Sequence, residues 1–364
     1  MHSIPMEQRV KIRSTGRLSA KKMLPLREML ESSQTLYDYD RQRARPYGEL
    51  KFSAVDMMII CLFMEIKKLT FEGLTEALDG RGGQVVLKNL GMPKGKNGRF
   101  QRPSNAWIST FRNHDYMYFR HELDRELRDT VLPKGRKNHV LLTCDSTPAE
   151  ASRYSKWAQY NVHYEVRMCK VHIIMADGVP LVWDVTNGNA GDNPEFRKLL
   201  KRLDGARMTD SYMLTDGGYD SFESYADVYS STGLVMSSNN GVNAVFHEEA
   251  TWNKLLRLYN GMSKETDFKP SKYVSKDYIL KFLMRHGHRE RVGWFLRNLD
   301  MRRGKEIHRE HARRRHVCET VHRAMKRWLN FDVRGLWRKY AGRRLMLKMV
   351  FCTMLCMFFQ PYDI

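Results

Sequence analysis

The sequence has few cysteines and no long apolar run, and each absence excludes a class of protein. Its six cysteines in 364 residues include no CxxC pair, so a disulfide framework is not expected. The longest apolar stretch, residues 345–359, contains Lys348 and is shorter than the roughly 20 residues that a spanning helix needs. No apolar segment follows the first residues, so we expect no secretory signal, no membrane association and a reducing, cytoplasmic location.

Acidic residues are too few to balance the basic ones. The chain has 62 Lys and Arg against 41 Asp and Glu, a formal net charge of +21. Between Arg285 and Lys348, 20 basic residues accompany only 6 acidic ones, so about two-thirds of the net charge lies in this segment. Such an excess predicts a polyanionic partner, most simply nucleic acid. The alternative is a basic protein that binds no polyanion.

The first third of the chain has a helical pattern. Residues 1–50 are polar and basic, and they could form a flexible arm or a loosely packed helical start. Over residues 50–132 apolar side chains recur at helical spacing, and Ser53, Thr70 and Ser104 are candidate N-caps. We therefore expect an all-helical region.

Beyond residue 135 the pattern changes to short apolar runs that are typical of buried strands. One run ends in Asp145, another ends in Asp216, and two runs joined at Asp177 and Gly178 form a hairpin. With the run GLVMSS they predict an α/β fold with a mixed five-stranded sheet flanked by helices. A largely helical insertion over 241–300 and two final helices complete the expected fold.

Three carboxylates are candidates for chemistry. Asp145 and Asp216 are predicted at strand ends, where an open sheet binds ligands. Glu319 lies on a long basic helix, in one stripe with Arg315, His322 and Lys326. Carboxylates that converge in a basic groove suit Mg²⁺ and phosphoryl transfer. From spacing alone, the aspartates could equally be cap or turn residues, and Glu319 a solvated residue paired with Arg315 or Arg323.

Other polar residues have competing interpretations. Asp177 fits a turn, Asp192 fits a helix cap better than a site residue, and Asp220 falls past the glycines at a helix start. Lys170 and His172 could contact DNA or be half-buried strand residues.

A zinc site is not expected, because the histidines at 286, 288, 308, 311 and 316 lack a cysteine pair at zinc spacing. Trp252, Trp294 and Tyr273 of the insertion could stack on an unpaired base, although packing within the insertion is the preferred role.

Four motifs, taken together and in order, resemble the insertion-sequence DDE transposases. TCDSTP is similar to the first-Asp motif of that family, and LTDGGYDS is similar to its second-Asp motif. The hairpin followed by TNGNAGD resembles its Thr-Gly-Asn-x-x-Asp element. RRRHVCETVHRAMKRW resembles the Tyr-x2-Arg-x3-Glu-x6-Lys signature, with Arg315, Glu319 and Lys326 in place and Ala312 where the family has tyrosine.

The resemblance implies an RNase H-like core in which Asp145, Asp216 and Glu319 bind two Mg²⁺ ions, or Mn²⁺ in their place. It implies metal-dependent cleavage at transposon ends and strand transfer into target DNA, in a homodimer associated with a prokaryotic nucleoid. DNA contacts are expected from residues of the basic helix and of one strand, namely Arg315, His322, Arg323, Lys326, Lys170 and His172.

The expected organisation has five parts. These are a basic arm over 1–50, a helical domain over 51–135 that recognises terminal inverted repeats, a first part of the catalytic core over 136–240, the insertion over 241–300, and the final helices over 301–364. Two alternatives stay open. One is a DNA-binding protein without catalysis, such as a decayed or domesticated copy, and the other is an RNase H-like nuclease that never joins strands.

Overall fold

The structure is a computed structural model that describes most of the chain. The described residues are 10–11, 20–47, 50–132, 140–151, 155, 158–203, 212–238, 245–265, 274–302, 305–329, 331 and 338–360. The predicted boundary at 133–135, Tyr273 and the helix break at Gly335 lie outside them, and so do most of residues 1–19.

Residues 50–132 are helical, as predicted, and within the expected basic arm over 1–50 the described part also contains helices. Strand β1 (Val10–Lys11) precedes a short 3-10 turn and is followed by seven helices. These are α1 (Leu24–Glu31), α2 (Gln34–Tyr47), α3 (Ala54–Ile66), α4 (Phe71–Asp79), α5 (Gly83–Asn89), α6 (Asn105–Thr110) and α7 (Tyr116–Val131). A π-helical turn, Phe111–Asp115, joins α6 to α7.

Local hydrogen bonds start three of these helices where the sequence predicts them. The Ser53 side chain accepts from the Asp56 amide and Asp56 accepts from the Ser53 amide, which is a complete capping box. Thr70 caps α4 and Ser104 caps α6 in the same way. The N-cap predictions are confirmed.

A mixed sheet forms the centre of the molecule. Its strands are β2 (Leu141–Glu150), β3 (Gln159–Asn161), β4 (Val166–Ala176), β5 (Val179–Asn187), β6 (Tyr212–Thr215) and β7 (Met236–Ser238). Five of them run in the order β5-β4-β2-β6-β7, with β4 antiparallel to its neighbours and β2, β6 and β7 parallel. This confirms the RNase H-like five-stranded sheet; β3 is an additional strand paired with the start of β4.

The hairpin between β4 and β5 turns at the predicted pair. Asp177 and Gly178 both have positive φ, 46° and 75°, as a type I′ turn requires. The Asp177 carboxylate accepts a hydrogen bond of 3.0 Å from the Leu141 amide, which ties the turn to the start of β2. Asp177 is therefore a turn residue, as expected.

The remaining helices cover the two faces of the sheet. They are α8 (Asp192–Lys201), α9 (Phe222–Thr232), α10 (Trp252–Glu265), α11 (Lys276–Arg285), α12 (Arg289–Met301), α13 (Lys305–Leu329) and α14 (Arg338–Phe358), followed by β8 (Phe359–Gln360), which pairs with β1. The segment predicted as a largely helical insertion contributes α10 to α12. Among the described helices, none is long and apolar enough to cross a membrane.

Alternate residues of β4 point into two different hydrophobic clusters. Val171 and Ile173 join a cluster that includes α1, α3, α7, α13 and α14. Ile174 joins a second cluster on the opposite face, with α8, α9 and the helices α10 to α12. The sheet is thus buried on both sides, which explains why the second half of β4, from Ile173 to Ala176, is a continuous run of buried apolar residues.

The N-terminal helices share one core with the last helix of the chain. Glu65 of α3 forms ion pairs with Arg112 and with Lys348 of α14, the latter at 3.3 Å, and all three side chains are buried. Lys348 is the charge that interrupts the longest apolar run, so the structure assigns it to a buried ion pair. All six cysteines are buried thiols.

Candidate active site

Asp145 and Asp216 lie side by side. The parallel ladder between β2 and β6 ends at the pair Cys144 and Thr215, so the two aspartates occupy the next position on neighbouring strands. Adjacent strands lie about 4.8 Å apart. Each carboxylate accepts a hydrogen bond of 2.8 Å from the amide of the residue that follows it, Ser146 or Gly217. The two acids therefore face one site.

The predicted position of Asp145 within its strand is wrong in one respect. Asp145 was expected at the strand end, but β2 continues to Glu150 because its antiparallel pairing with β4 extends to the pair Glu150 and Met168. Only the parallel partner β6 stops beside it. Asp145 is thus held by a continuous strand, while Asp216 begins a 3-10 turn after β6.

The charge of Asp145 is unfavourable in its surroundings. Burial raises its pKa to about 6, and the neighbouring Asp216 and Asp192 add to the rise. The Ser146 amide and Arg315 act in the opposite direction without cancelling it. A carboxylate whose ionised form is disfavoured by burial and by two other acids is stabilised by a cation, so the electrostatics of the site favour a bound positive ion.

Helix α13 packs against β2 and β6 and carries Glu319 to the same region. His322, one turn further along, places Nδ1 3.8 Å from Asp145 Oδ2. Glu319 itself is bound by its own helix: its carboxylate accepts from Arg315 at 3.3 Å and contacts His316 Nδ1 at 3.0 Å. The hydrogen bond from His316 is the main cause of a lowered Glu319 pKa.

The arrangement meets part of the expectation for a triad. The structure brings Asp145 and Asp216 together and places α13 beside them, with the Glu319 side chain 43% exposed and turned toward Arg315 and His316. Within the described residues, no group of three or more His, Cys, Asp or Glu side chains is close enough to hold a metal ion. The donors themselves fit Mg²⁺, because carboxylate oxygens are the hard ligands that it prefers.

His322 is neutral in this site. Burial, assisted by Lys326, lowers its pKa to about 3. The residue is only 9% exposed, which speaks against the DNA contact expected from the sequence. Arg323 and Lys326 of the same helix are exposed, and Arg315 is partly buried, where it binds Glu319 and acts to lower the Asp145 pKa.

Asp192 was preferred as a helix cap, and the structure corrects this. Gly191 is the N-cap of α8, and Asp192 is its first helical residue. Its carboxylate lies 2.9 Å from Lys170 Nζ and 3.3 Å from His172 Nδ1. Burial would raise the pKa of Asp192, but hydrogen bonds from His172 and Lys170 outweigh that effect and lower it to about 2, and Ser146 contributes a further hydrogen bond.

Lys170 and His172 consequently have partners inside the protein. His172 is completely buried, and its Nε2 lies 2.8 Å from the Thr186 hydroxyl. A DNA contact from this ring is therefore not supported. Both residues hold Asp192 next to Ser146 and Asp145, a connection that the sequence does not reveal because the five residues are up to 47 positions apart.

Two further expectations are settled by contacts. Asp220, considered as a rival of Asp216, receives both Nε and Nη2 of Arg297 at 2.7 Å, so its carboxylate is committed to that pair. Trp252 and Trp294 pack against neighbours within their own region, Phe295 and His247 respectively, as preferred.

Comparisons with known proteins add a family assignment. Residues 136–356 match the family model described as the transposase DDE domain. No curated protein matches the chain. Among solved structures, a piggyBac transposase synaptic complex with hairpin DNA matches with 8% identity over 98% of this chain and 77% of the other, at a TM-score of 0.43. The Mos1 strand transfer complex matches with 14% identity over 70% of this chain and 76% of the other, at a TM-score of 0.20.

Proposed function

Since the chain belongs to the transposase DDE domain family, we propose that it cleaves DNA at the ends of its own element in a metal-dependent reaction and transfers the freed strands into target DNA. The observation that carries the proposal is the register of the sheet, which sets Asp145 beside Asp216 at the end of a parallel ladder and below the basic helix α13.

Asp145, Asp216 and Glu319 are the residues that would hold the divalent ions. When bound, two such ions supply activation of the attacking oxygen and stabilisation of the leaving oxygen of a phosphodiester. To join the aspartates, Glu319 would have to leave its contacts with Arg315 and His316. In return, Arg315 becomes available to a phosphate, which its planar guanidinium can bind with two hydrogen bonds.

The exposed cations of α13 would hold the DNA backbone. Arg323 and Lys326 lie on the outer side of the helix, and the segment around them contains the largest basic excess of the chain. Neutral His322 would line the site without adding charge. In this proposal Lys170 and His172 position Asp192 instead of contacting DNA.

The resemblance extends the proposal to the assembly. A homodimer would bring two transposon ends together, with residues 51–135 recognising the terminal inverted repeats. In the joining step, the 3′-hydroxyl of each end attacks a phosphodiester of the target and displaces its 3′-oxygen, so one bond forms as one breaks and no external energy source is needed.

The test uses an end fragment read from the genomic DNA that flanks the gene. Asp145→Asn, Asp216→Asn and Glu319→Gln proteins should bind this fragment about as tightly as the unmodified protein and should nick it at least about a thousandfold more slowly, because each loses a charged metal ligand. Nicking with Mg²⁺ is followed on a labelled strand.

Glu249→Gln is the matched control, since Glu249 is exposed and pairs with nearby His247. It should nick at the unmodified rate. Normal nicking by any one of the three site variants would remove that residue from the active site, and normal nicking by all three would refute the proposed chemistry.

One observation favours a second candidate, a DNA-binding protein without catalysis. Glu319 is engaged by Arg315 and His316 on its own helix. If this pairing persists with DNA and Mg²⁺ present, the unmodified protein would bind ends and leave them intact, so the same nicking assay separates the two candidates.

A further inference from the structure

A cavity of about 690 Å³ lies in the N-terminal helical region, apart from the aspartates. Its size falls within the range of about 300–1,000 Å³ that is usual for sites of small organic groups. The walls come from the residues just before α3, the end of α4, helix α5, the loop over 97–103 and the start of α6. Residues central to its chemistry are Lys51, Phe52, Arg99, Phe100, Arg102 and Trp107.

The walls are held by polar contacts that leave little freedom. Residues 94–100 form a small hairpin, with the Gly95 amide donating to Arg99 O at 2.9 Å. Both polar atoms of the Gln84 side chain bind the backbone of Phe100, at 2.9 and 3.0 Å. Asp79 borders the cavity, and Arg102 binds both of its carboxylate oxygens. The guanidinium therefore neutralises the negative charge of Asp79. These hydrogen bonds fix the positions of the cavity walls.

Trp107 presents an aromatic ring to this space. Its side chain is 48% exposed, although tryptophan is usually well buried. Buried Phe52 contacts it edge to face, with ring centroids 5.9 Å apart, and so supports its orientation. Phe100 is covered by Lys94, which lies 5.2 Å from its centroid, so Trp107 is the ring left open.

Apart from Asp79, which Arg102 neutralises, the charged side chains that line the cavity are basic. From residue 80 to residue 114 the sequence contains seven Lys or Arg and no Asp or Glu. Lys51 and Arg99 are exposed at the cavity, and Lys94 and Lys96 are exposed on the adjoining hairpin. An open aromatic ring flanked by cations is the combination that binds a base by stacking and its phosphates by charge.

We propose that this cavity binds one unpaired nucleotide of a DNA strand, with the base stacked on Trp107 and the adjoining phosphates held by Lys51 and Arg99. The proposal depends on the proposed function only in taking DNA as the polyanion. It places a single-strand contact on the helical region, at a site distinct from the cleavage site.

The test measures binding of the full chain in EDTA, so that no cleavage takes place. The probes are a labelled 12-nucleotide thymidine strand and a 12-base-pair duplex. Trp107→Ala should weaken binding of the single strand at least about fivefold, the lower end of what one stacked base contributes. Duplex binding should change less than about twofold, and Trp107→Phe should keep most of the single-strand affinity.

Tyr118→Ala is the matched control, because Tyr118 on α7 is 79% exposed and does not line the cavity. It should leave both affinities unchanged. Arg99→Gln should reduce the slope of log affinity against log salt for the single strand by about 0.7, the value for one phosphate contact. If Trp107→Ala affects the single strand no more than Tyr118→Ala does, the base-binding proposal is overturned, whatever Arg99→Gln shows.

The outcome is independent of the cleavage chemistry. An Asp145→Asn protein without nicking activity should show the same dependence on Trp107. A protein that nicks DNA normally but whose strand binding ignores Trp107 would refute this inference and leave the proposed function standing.

Discussion

Asp192 shows how a single side chain can organise a site that it need not enter. It binds Lys170 and His172 on β4 and Ser146 next to Asp145, so three elements meet at one carboxylate. Loss of such supporting contacts commonly costs about 10- to 100-fold in metal affinity or activity. We regard Asp192 as a positioning residue of the proposed active site.

Asp192→Asn should therefore slow nicking by about 10- to 100-fold and change end binding less than about twofold. Raised Mg²⁺ concentration should recover part of the rate if the loss is in metal affinity, which a general loss of folding would not do. The rate is measured against Mg²⁺ concentration, with thermal unfolding as a check of stability.

Lys198→Gln serves as its control, because Lys198 lies on the same helix and forms an exposed pair with Glu195. That variant should nick at the unmodified rate. A Mg²⁺ profile for Asp192→Asn that coincides with the unmodified one would contradict the positioning role.

Asp124 of α7 makes stability depend on pH. Burial raises its pKa to about 6, against the opposing charges of Arg120, Arg202 and Arg128, and its Oδ1 has no hydrogen-bond partner among the residues that the structure describes. Because the folded-state pKa exceeds the unfolded one, the folded protein binds the proton more tightly. The stabilisation is complete below about pH 4 and is lost as the pH rises through about 6.

Asp124→Asn should remove this loss of stability at rising pH. Between pH 4 and 7 the unmodified protein should lose roughly 2–3 kcal/mol more of its free energy of unfolding than Asp124→Asn does. Urea unfolding at a series of pH values measures the difference. Asp79→Asn is a suitable control, since the ion pair with Arg102 lowers the Asp79 pKa and so places its titration below this window; parallel curves for Asp124→Asn would refute the assignment.

At the scale of helices and strands, the close contact between α9 and α12 depends on one glycine. A Cβ atom at Gly293 would lie 2.2 Å from the carbonyl oxygen of Phe222, so no larger residue fits without a shift of the backbone. Helices α9 and α12 both also contact β7. The contact between them therefore holds the segment that contains α10 to α12 against the sheet.

Gly293→Ala should therefore destabilise the protein by about 1–3 kcal/mol, the usual effect of overpacking. Gly261→Ala in α10 meets no atom within 4 Å and should be neutral or stabilising by up to about 1 kcal/mol, because alanine favours the helix. Urea unfolding of the two variants provides the comparison. Equal stability of the two variants would show that α9 and α12 can move apart to accommodate a Cβ atom at no cost in free energy.

Across the whole molecule, the positive charge is concentrated on α13 and the helices around it. Arg323 and Lys326 are exposed there without affecting the core, since the opposite face of α13 carries buried Val321, Met325 and Trp328. Phosphates bound by such cations release counterions, and binding then depends on salt in proportion to the number of contacts.

Replacing Arg323 and Lys326 together by Gln should reduce the slope of log affinity against log salt for duplex DNA by about 1.8, at about 0.9 for each contact. Lys281→Gln should leave the slope unchanged, because Lys281 on α11 already pairs with Asp277. Filter binding between 50 and 200 mM salt measures both. An unchanged slope in the double variant would place the DNA elsewhere.

The sequence by itself determined features that depend on a few neighbouring residues. The caps at Ser53, Thr70 and Ser104 and the turn at Asp177 and Gly178 were predictable, because hydrogen bonds to adjacent amides and a positive φ act over four residues or fewer. The motifs around Asp145, Asp216 and Glu319 were likewise readable as separate segments.

Only the tertiary structure decided which of these residues meet. The parallel register aligned Asp145 with Asp216, and the packing of α8 against β4 joined Asp192 to Lys170 and His172. The cavity beside Trp107 arises from five separate segments. Contacts of this kind depend on the packing of distant elements, which minimises exposed apolar surface over the whole chain, and no local pattern encodes where that packing places a polar side chain.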